Sequence, residues 1–340
     1  MSTDAPPALQ SPPAEWAPHA AIWTAWPADP DVWFGPFEGA QREVAGMVRA
    51  LAAPGLDGRP GDVVKLLVNG PLALLSAEKA VGDVCEIIPA QYGDTWLRDT
   101  GPIFLANDRA CTFGFNGWGS KFVYEHDDEV SGFIARLVGA KTASFDRVME
   151  GGALDWDGEG TVLTTRECLL NPNRNPWTEA EAEAFLKESL GLRRVIWIDR
   201  GLANDHTDGH VDNIARFVAP GVVVCQSPSG ADDPNAEALD AIAAQLSAAR
   251  DARGRMLQVI RIPSPGKVLG EEGEVVPASH MNFIIGNAAV IVPTYGAPYT
   301  NAALEVLKPL FPGRAVIGLP ARHILSGGGA FHCITQQQPA

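Results

Sequence analysis

Basic residues are scarce in this sequence. Across its 340 residues, 41 Asp and Glu outnumber 26 Lys and Arg, which gives a formal net charge of −15. A surface of that sign repels the phosphates of nucleic acids and of anionic membranes, so we expect neither as a partner. A cationic small molecule is compatible with this charge, and so is a protein whose acidic surface serves only its solubility.

Closely spaced cysteines and long apolar runs are also missing. The five cysteines lie too far apart for a Cys-x-x-Cys metal or redox motif. No segment approaches the roughly 18 apolar residues of a membrane span, and the first residues, MSTDAPPALQSPPAEW, lack the basic and apolar segments of a signal peptide. The sequence therefore predicts a cytoplasmic protein with free thiols. Four cysteines lie in apolar or strand-like runs without an accompanying His and are interpreted as buried small hydrophobic residues: Cys85, Cys111, Cys168 and Cys225.

What the sequence does contain is an alternation of strand-like and helix-like segments. Three short β-branched segments, bounded by turn residues, predict strands at 193–201, 257–265 and 314–322. A helix-like segment precedes each of them, at 178–191, 235–250 and 301–311. The first of these helices begins with the capping-box pair Thr178 and Glu181. A further strand-like segment comes before each helix, at 160–168, 221–226 and 287–296.

Two fainter copies of this pattern lie upstream. One has a strand at 102–106 and a helix near 129–138. The other has a strand at 20–26, a helix near 38–52, and strands at 63–68 and 84–88. About five units of roughly 50 to 80 residues would account for the chain, and such units bury their apolar faces by packing around a common axis.

A doubly wound parallel sheet is the alternative for such an alternation. Against it, no Gly-x-Gly-x-x-Gly motif follows an early strand, and each unit has more than one strand per helix. No linker or block of charge marks a domain boundary. We therefore expect residues 1–340 to form a single domain, with a loose, Pro-rich tail at residues 1–15.

Four dense polar stretches interrupt the apolar segments. They lie at 94–102, 148–161, 201–217 and 325–333. Any one of them could be an ordinary turn rich in Asp and Gly. Because functional residues concentrate in loops at strand ends, four such stretches at similar places in successive units indicate a shared site.

The stretch at 201–217 contains HTDGHVD, which suggests either a metal site or a general base. Its potential ligands alternate, at His206, Asp208, His210 and Asp212. On a strand, alternate side chains would point the same way. The His-x-x-x-His spacing also resembles a helical zinc pair, but that motif requires Glu directly after the first His, and an internal glycine weakens a helix.

The stretch at 325–333 offers a nucleophile, Cys333. A thiolate is a good nucleophile where a cation or a base lowers the pKa of the thiol. The preceding residues Gly327–Gly329 would let backbone and substrate approach closely. In an extended segment the side chain of His332 would point to the opposite face from Cys333. His210 is therefore the best candidate for the base.

These stretches together resemble the agmatine deiminase family, which belongs to the guanidine-modifying group with the pentein fold. The resemblance covers nearly the whole chain. It rests on PAEWAPHAAIWTAWPADPDVW (13–33), DTWLRDTGP (94–102), FNGWGSK (115–121), EGG (150–152), ECLLNPNRNP (167–176), TDGHVDN (207–213) and GGGAFHCITQQQP (327–339). Bacterial peptidylarginine deiminases share part of the pattern. The resemblance implies an α/β fold, a five-bladed pseudo-symmetric propeller of ββαβ units around a central site.

The resemblance also implies the reaction. Agmatine would be hydrolysed to N-carbamoylputrescine and ammonia through a covalent amidino-cysteine, without a metal or other cofactor, as a step of polyamine metabolism. Cys333 would be the nucleophile and His210 the general acid and base. The residues holding this small cationic guanidine substrate would be Glu150, Asp212, Asp99, Trp96 and Trp118. A homo-oligomer is compatible with the family.

Four positions depart from the family's pattern. Ala330 and Phe331 replace an Asn-Ile pair, His206 replaces an acidic residue, and His280 replaces an aromatic residue. None of them is a proposed catalytic group, but they could alter recognition of the far end of the substrate. Two alternatives therefore stay open. One is a deiminase of free or peptidyl arginine that uses the same chemistry, and the other is a non-catalytic guanidine-binding propeller.

Overall fold

The computed structural model describes residues 11–33 and 36–340. The strands are β1 (His19–Ala25), β2 (Val64–Val68), β3 (Glu86–Pro89), β4 (Ile103–Leu105), β5 (Arg109–Gly114), β6 (Lys141–Val148), β7 (Asp155–Trp156), β8 (Thr161–Thr165), β9 (Arg194–Ile198), β10 (Ala215–Ala219), β11 (Val222–Ser227), β12 (Gln258–Pro263), β13 (Ile284–Ile285), β14 (Ala289–Thr294), β15 (Ala315–Pro320) and β16 (Thr335–Pro339). The helices are α1 (Phe37–Ala52), α2 (Pro71–Val81), α3 (Leu97–Thr100), α4 (Gly117–Ser120), α5 (Val130–Leu137), α6 (Arg166–Leu169), α7 (Glu179–Leu190), α8 (Ala236–Ala248), α9 (Thr300–Leu307) and α10 (Arg322–Ser326).

The described strands form five separate sheets. In four of them, β4-β5-β6, β7-β8-β9, β10-β11-β12 and β13-β14-β15, the first two strands are antiparallel and the third pairs in parallel with the second. Parallel neighbours need a crossover connection, and the helices α5, α7, α8 and α9 lie in these connections. Each sheet is thus one ββαβ unit, as the resemblance to the agmatine deiminase family implies.

The remaining sheet joins the two ends of the described chain. Its order is β16-β1-β2-β3, with β16 antiparallel to β1 and β1 parallel to β2. The helix α1 forms the crossover from β1 to β2, so β16 takes the place that a local first strand has in the other units. The α/β fold of repeated ββαβ units is confirmed, and the doubly wound sheet is excluded.

Local sequence explains where the elements begin and end. At α7, the hydroxyl of Thr178 accepts from the N–H of Glu181, while the Glu181 carboxylate accepts from the N–H of Thr178 at 2.7 Å. This capping box satisfies donors that the first turn leaves free. Gly191 ends the helix with a left-handed φ of 66°. The predicted helix at 178–191 is therefore confirmed.

The central strands of the sheets are buried, which accounts for their apolar sequences. All of the residues Thr161–Thr165 of β8 are buried, as are most residues of β11 and β14. Strands covered on both faces have continuous apolar runs rather than alternation. Cys111 in β5 and Cys225 in β11 are buried, and burial raises the pKa of each thiol to about 11. They are buried small residues, as predicted, whereas Cys85 is only half-buried.

The predicted loose tail is wrong for the part of it that the structure describes. Ala14 and Glu15 are buried, at 7% and 6% exposure. The Trp156 indole N–H donates to the carbonyl of Pro13 at 2.8 Å, and the Glu15 carboxylate pairs with the buried Arg216 guanidinium. A buried charge needs a partner, so Arg216 holds this segment against the protein. Residues 1–10 lie outside the described part.

No helix in residues 11–33 and 36–340 has both the length and the apolar sequence that a membrane span requires.

Candidate functional site

In each sheet, the segment just before the first strand supplies polar groups of the site. Before β4, β7 and β10 these segments are the short turns Leu97–Thr100, Gly151–Ala153 and Val211–Asn213, and the second turn contacts the other two. Asn282 and Cys333 precede β13 and β16 in the same way. The site is therefore assembled from one equivalent position of each repeat.

Cys333 is held by the side-chain amide of Asn282. The Sγ atom lies 2.9 Å from Nδ2 of Asn282 and 3.5 Å from Oδ2 of Asp212. Oδ1 of Asn282 accepts from the backbone N–H groups of Cys333 at 3.2 Å and His332 at 3.0 Å. One buried amide therefore fixes both the sulfur and the backbone that carries it. Asn282 was not among the predicted site residues, although its position in the repeat could have indicated a role in the site.

The Cys333 thiol is in an environment that disfavours its charged form. The residue is 4% exposed. Burial raises the pKa of Cys333 well above its usual value, the charges of Asp212 and Asp99 raise it further, and the hydrogen bond from Asn282 opposes them. A cation bound between the carboxylates would reverse this balance, since an opposite charge favours the thiolate.

His210 lies between two carboxylates. Its Nε2 is 3.2 Å from Oε2 of Glu150, and its Nδ1 is 3.8 Å from Oδ2 of Asp99. Burial alone would lower the pKa of His210, but the Asp99 charge and the hydrogen bonds with Cys168 and Glu150 outweigh burial and raise it well above the usual value. Among the described side chains, Nδ1 of His210 is one of the buried polar atoms without a hydrogen-bond partner.

Glu150 is anchored on a buried arginine. Its Oε1 accepts from Nε of Arg174 at 2.8 Å, while Oε2 faces His210. Burial alone would raise the pKa of Glu150, but the His210 hydrogen bond and the Arg174 charge outweigh it and lower the pKa. Arg174 also pairs with Asp208 and donates to the carbonyl of Thr207 at 2.9 Å. Arg174 therefore links Glu150 to the loop that carries His210.

Asp212 offers one occupied and one free oxygen. Oδ2 is 2.7 Å from Nδ1 of His332, whereas Oδ1 is buried without a hydrogen-bond partner among the described residues. Burial would raise the pKa of Asp212, but His332, His210 and Arg216 together lower it. An unpaired buried acceptor is rare enough in proteins to require an explanation, and a ligand donor is one.

Asp99 is oriented by Trp118 and by the backbone. Its Oδ2 accepts from the indole N–H of Trp118 at 2.9 Å, and Oδ1 accepts from the N–H of Gly152 at 2.8 Å. Burial and the charges of Glu150 and Asp212 raise the pKa of Asp99 to about 6, against the opposing effect of His210.

Trp118 reaches Asp99 through an unusual backbone. All of the residues Gly117–Ser120, which form α4, have positive φ, and that of Trp118 is 53°. This conformation is uncommon for a bulky residue. Oδ1 of Asn116 accepts from the N–H of Gly119 at 2.9 Å and so closes the turn.

A pocket leads from the surface to Cys333. It has about 530 Å³ of atom-free space, including its mouth. Trp96 forms one wall, stacked on Trp33 with ring centroids 6.1 Å apart, and its indole N–H donates to Oδ2 of Asp94 at 2.7 Å. The other lining residues include Asp99, Trp118, Phe122, Tyr124, His206 and Gly328. All of the predicted site residues thus lie in or directly behind this pocket.

Gly152 lies where the catalytic candidates meet. A Cβ at this position would be 2.5 Å from Nδ1 of His210, 2.9 Å from Oδ1 of Asp99 and 3.1 Å from Oδ2 of Asp212. These distances are too short for a side-chain carbon, so only glycine allows the three groups to approach each other. The second glycine of EGG is explained by this contact.

The metal reading of HTDGHVD loses its geometric basis. Asp208 and Gly209 have positive φ, so the segment is a turn and not a strand with alternating ligands. Of the described residues, the group with ligand atoms close enough to share an ion is Glu150, Cys168 and His210, all within 4.8 Å. These residues do not fit a resident metal, because Arg174 neutralises Glu150 and burial raises the pKa of Cys168 to about 11.

Cys168 corrects one prediction. It was interpreted as an ordinary buried hydrophobic residue, yet its Sγ lies 3.7 Å from Oε2 of Glu150. The reason is local, because the hydroxyl of Thr165 caps the short helix α6 by accepting from the N–H of Cys168 at 3.2 Å. The chain turns there, and the thiol faces the site.

Of the four departures from the family's pattern, His206 is the one that lines the pocket. Its ring packs against Phe122, with centroids 5.6 Å apart. Ala330 and Phe331 are buried in the core, and His280 is buried against the carbonyl of Pro263 at 2.9 Å. These three positions are therefore set by packing.

Known proteins share this sequence and fold. Residues 11–339 match the family described as Porphyromonas-type peptidyl-arginine deiminase. The agmatine deiminase of Stutzerimonas stutzeri (strain A1501) is 39% identical, over 96% of this chain and 95% of the relative. The agmatine deiminase of Pseudomonas aeruginosa (strain LESB58) is 37% identical, again over 96% of this chain and 95% of the relative.

A solved structure extends the similarity to three dimensions. The agmatine deiminase of Enterococcus faecalis superposes with a TM-score of 0.89 at 31% identity, over 96% of this chain and 95% of that one. The chain therefore belongs to the family of agmatine deiminases and Porphyromonas-type peptidyl-arginine deiminases.

Proposed function

We propose that this protein is an agmatine deiminase, which hydrolyses the guanidinium of agmatine to N-carbamoylputrescine and ammonia through a covalent amidino-cysteine at Cys333. One observation carries the proposal. Beside the thiol, Nδ1 of His210 and Oδ1 of Asp212 are both buried and unpartnered among the described residues. Oδ1 of Asp212 offers an acceptor to a planar cation that carries several N–H groups and no acceptor of its own, and Nδ1 of His210 is free to give its proton to the nitrogen that departs.

The charge of the pocket favours agmatine over arginine. Asp94 and Asp99 line it, and no Lys or Arg is among its described lining residues. The amine at the far end of agmatine would meet carboxylate and aromatic surface. The α-carboxylate of arginine would instead enter a field of its own sign, and like charges cost several kcal/mol where they are desolvated.

Binding prepares the nucleophile. Asp212 and Asp99 accept guanidinium N–H groups, and Glu150, which has lone pairs beyond those used by Arg174 and His210, accepts a further one. The indole rings of Trp96 and Trp118 line the sides of the pocket. The cation lowers the pKa of the neighbouring Cys333, whose proton leaves to solvent, and the resulting thiolate lies close to the central carbon of the substrate.

Two displacements complete the reaction. Sγ of Cys333 bonds to the guanidinium carbon, His210 gives its proton to the departing nitrogen, and the C–N bond breaks to release ammonia. The neutral His210 then takes a proton from water, whose oxygen bonds to the same carbon. The C–S bond breaks, and the thiolate and the ureido product are regenerated.

Substrate selectivity tests the proposal. We expect kcat/KM for agmatine to exceed that for free arginine by about 100-fold or more, because of the cost of the misplaced carboxylate. An arginine peptide should be poorer than agmatine as well. The rate of ammonia release from each compound measures this order of substrate preference. Preference for arginine or its peptide would support the alternative substrates, and binding of agmatine without any turnover would support a non-catalytic protein.

Asn282 provides a second test. Replacing Asn282 with alanine should lower kcat/KM by about 10- to 100-fold, since a hydrogen bond to a charged group contributes about 1.5 to 3 kcal/mol. Alkylation of Cys333 should shift to higher pH, because the thiolate loses its donor. The pH dependence of iodoacetamide inactivation measures this shift.

Asn287 is the matched control. Its side chain also bonds backbone groups, accepting from the N–H of His19 and donating to its carbonyl, each at 3.0 Å, but away from the pocket. Asn287→Ala should lower thermal stability and leave the alkylation profile unchanged. An unchanged profile in Asn282→Ala would remove Asn282 from the reaction.

We also infer that the described chain acts as one catalytic unit in the cytoplasm. The inference of one unit is supported by the pairing of β16 with β1, which brings Cys333 to groups from the other sheets. Supporting the location, all of the cysteines are free, as expected in a reducing compartment.

A further inference from the structure

His332 is a buried titratable residue that the proposed reaction does not use. Residues 331–334 form a turn, so the extended conformation assumed for this segment is wrong. The imidazole bonds two carboxylates instead of Cys333: Nδ1 lies 2.7 Å from Oδ2 of Asp212, and Nε2 lies 3.0 Å from Oε2 of Glu15. Its exposure is 2%.

Glu15 connects this imidazole to the segment before β1. Its carboxylate pairs with Arg216 and accepts from the N–H of Ile285 at 2.8 Å. Burial would raise the pKa of Glu15, but the charges of Arg216 and His332 outweigh it and lower the pKa. An anionic Glu15 can therefore accept a hydrogen bond from Nε2 of His332, while Nδ1 of the same ring faces Asp212.

We propose that Glu15 and His332 form a positioning pair, which holds Asp212 ionised and aims its free oxygen at the guanidinium of the substrate. This role rests on the proposed function of the site. It follows the logic of catalytic triads, in which a buried carboxylate fixes the orientation of an imidazole. Here the imidazole in turn fixes a second carboxylate, and that carboxylate contacts the substrate.

The local charges explain why Asp212 needs this support. Burial favours its neutral form, which would be a poor partner for a cation. The charged or titratable groups that face Asp212 are His332, His210, Arg216, Arg98, Asp99 and Cys333. Those facing His332 are Asp212, Glu15 and Arg98, whose Nε is 3.4 Å from the His332 carbonyl. Among the described residues, loss of the imidazole would leave Oδ2 of Asp212 with the Cys333 thiol, at 3.5 Å, as its hydrogen-bond partner.

The test replaces each member of the pair with a neutral residue. His332→Gln should raise KM for agmatine by about 10- to 100-fold, the usual cost of losing a partner that orients a site ligand. The acid limb of kcat/KM, which is its fall at low pH, should become steeper and move upward, because loss of the imidazole raises the pKa of Asp212 and adds the protonation of a second carboxylate to that of Asp99, whose pKa is about 6. Glu15→Gln should shift KM and the acid limb in the same direction. The double variant should be no worse than His332→Gln.

Asp155→Asn is the matched control. Asp155 also bonds Arg216, through Oδ2 at 2.5 Å, and accepts from the N–H of Phe217 at 2.7 Å, but it has no hydrogen bond to His332. It should lower thermal stability and leave the acid limb in place. An equal shift in Asp155→Asn would assign the effect to the Arg216 cluster as a whole and overturn the pair.

Binding provides a second measurement that does not depend on turnover. In a Cys333→Ser background, the pH dependence of agmatine affinity should shift upward with His332→Gln. An active wild-type enzyme whose His332→Gln and Glu15→Gln variants keep the acid limb would overturn the positioning pair. A wild-type protein that does not act on agmatine would instead overturn the proposed function. If His332→Gln does not fold, Glu15→Gln decides the question by the same measurements.

Discussion

Replacing Cys333 with alanine should lower kcat/KM on agmatine by about 10,000-fold or more, the scale seen when an enzyme loses its nucleophile. The second thiol of the site cannot substitute for it, because Cys168 donates to Glu150 and burial keeps its pKa near 11. Ammonia release measures the loss. Turnover that survives in the alanine variant would contradict the covalent mechanism.

Two further variants separate chemistry from binding. Cys333→Ser keeps a small polar side chain beside Asn282 and should bind agmatine without turning it over. Cys85→Ala is the control for general effects of cysteine removal, since Cys85 is half-buried directly before β3 and is outside the pocket. Its kcat/KM should stay within about twofold of the wild type, as for surface changes away from a site.

Replacing Gly152 with alanine should lower kcat/KM by about 100-fold or more, although it removes no chemical group. The added Cβ would lie 2.5 Å from Nδ1 of His210 and 2.9 Å from Oδ1 of Asp99, so the imidazole or the carboxylate must move. A displacement of about 1 Å in a catalytic group can cost 100-fold in rate. Steady-state kinetics and thermal unfolding together distinguish loss of activity from loss of fold.

Gly46 supplies the control for this substitution. It lies within α1, and an added Cβ would meet no heavy atom within 4 Å. Gly46→Ala should therefore raise the free energy of unfolding by up to about 1 kcal/mol, the difference in helix propensity, and leave kcat/KM unchanged. If Gly152→Ala behaved like Gly46→Ala, the packing of the site around Gly152 would be wrong.

Much of the fold could be predicted from local pattern. The helix at α7 has a capping box and a buried stripe, and the central strands β8, β11 and β14 are rich in β-branched residues. Among the first strands of the sheets, β4 was predicted at 102–106, but β7, β13 and β16 could not be found in the same way. β7 and β13 have only two residues each, and β16 is mostly glutamine. Their pairing with neighbours, not their own sequence, makes them strands.

The residues of the site likewise include some that the local sequence predicts and others that it does not. Sequence motifs predicted Cys333 and His210, because reactive residue types beside glycines are visible locally. Asn282, Glu15 and the orientation of His332 were missed, since their roles depend on partners far away in the chain. Glu15 and His332, for example, are separated by 317 positions. Cys168 was misjudged for a related reason, as only the turn at Thr165 brings it to Glu150.

The three glutamines after Cys333 were unexplained by sequence. Arg98 is buried, at 1% exposure, and its Nη1 donates to Oε1 of Gln336 at 2.7 Å and of Gln337 at 2.6 Å. Oε1 of Gln338 accepts from the Trp23 indole at 3.0 Å. These neutral acceptors bind Nη1 of the guanidinium without adding another carboxylate to an already acidic centre, whereas Nη2 has no hydrogen-bond partner among the described residues.

The pairing of β16 with β1 has a consequence for synthesis. Along the chain, Cys333 follows every other group of the site, and it directly precedes the strand that completes the first sheet. A nascent chain on the ribosome can therefore acquire four complete sheets and all of the binding carboxylates while it still lacks a nucleophile. If Cys333 is the nucleophile, as we propose, a chain that stops before it should bind the substrate's guanidinium poorly or not at all as a reactant and should release no ammonia from agmatine.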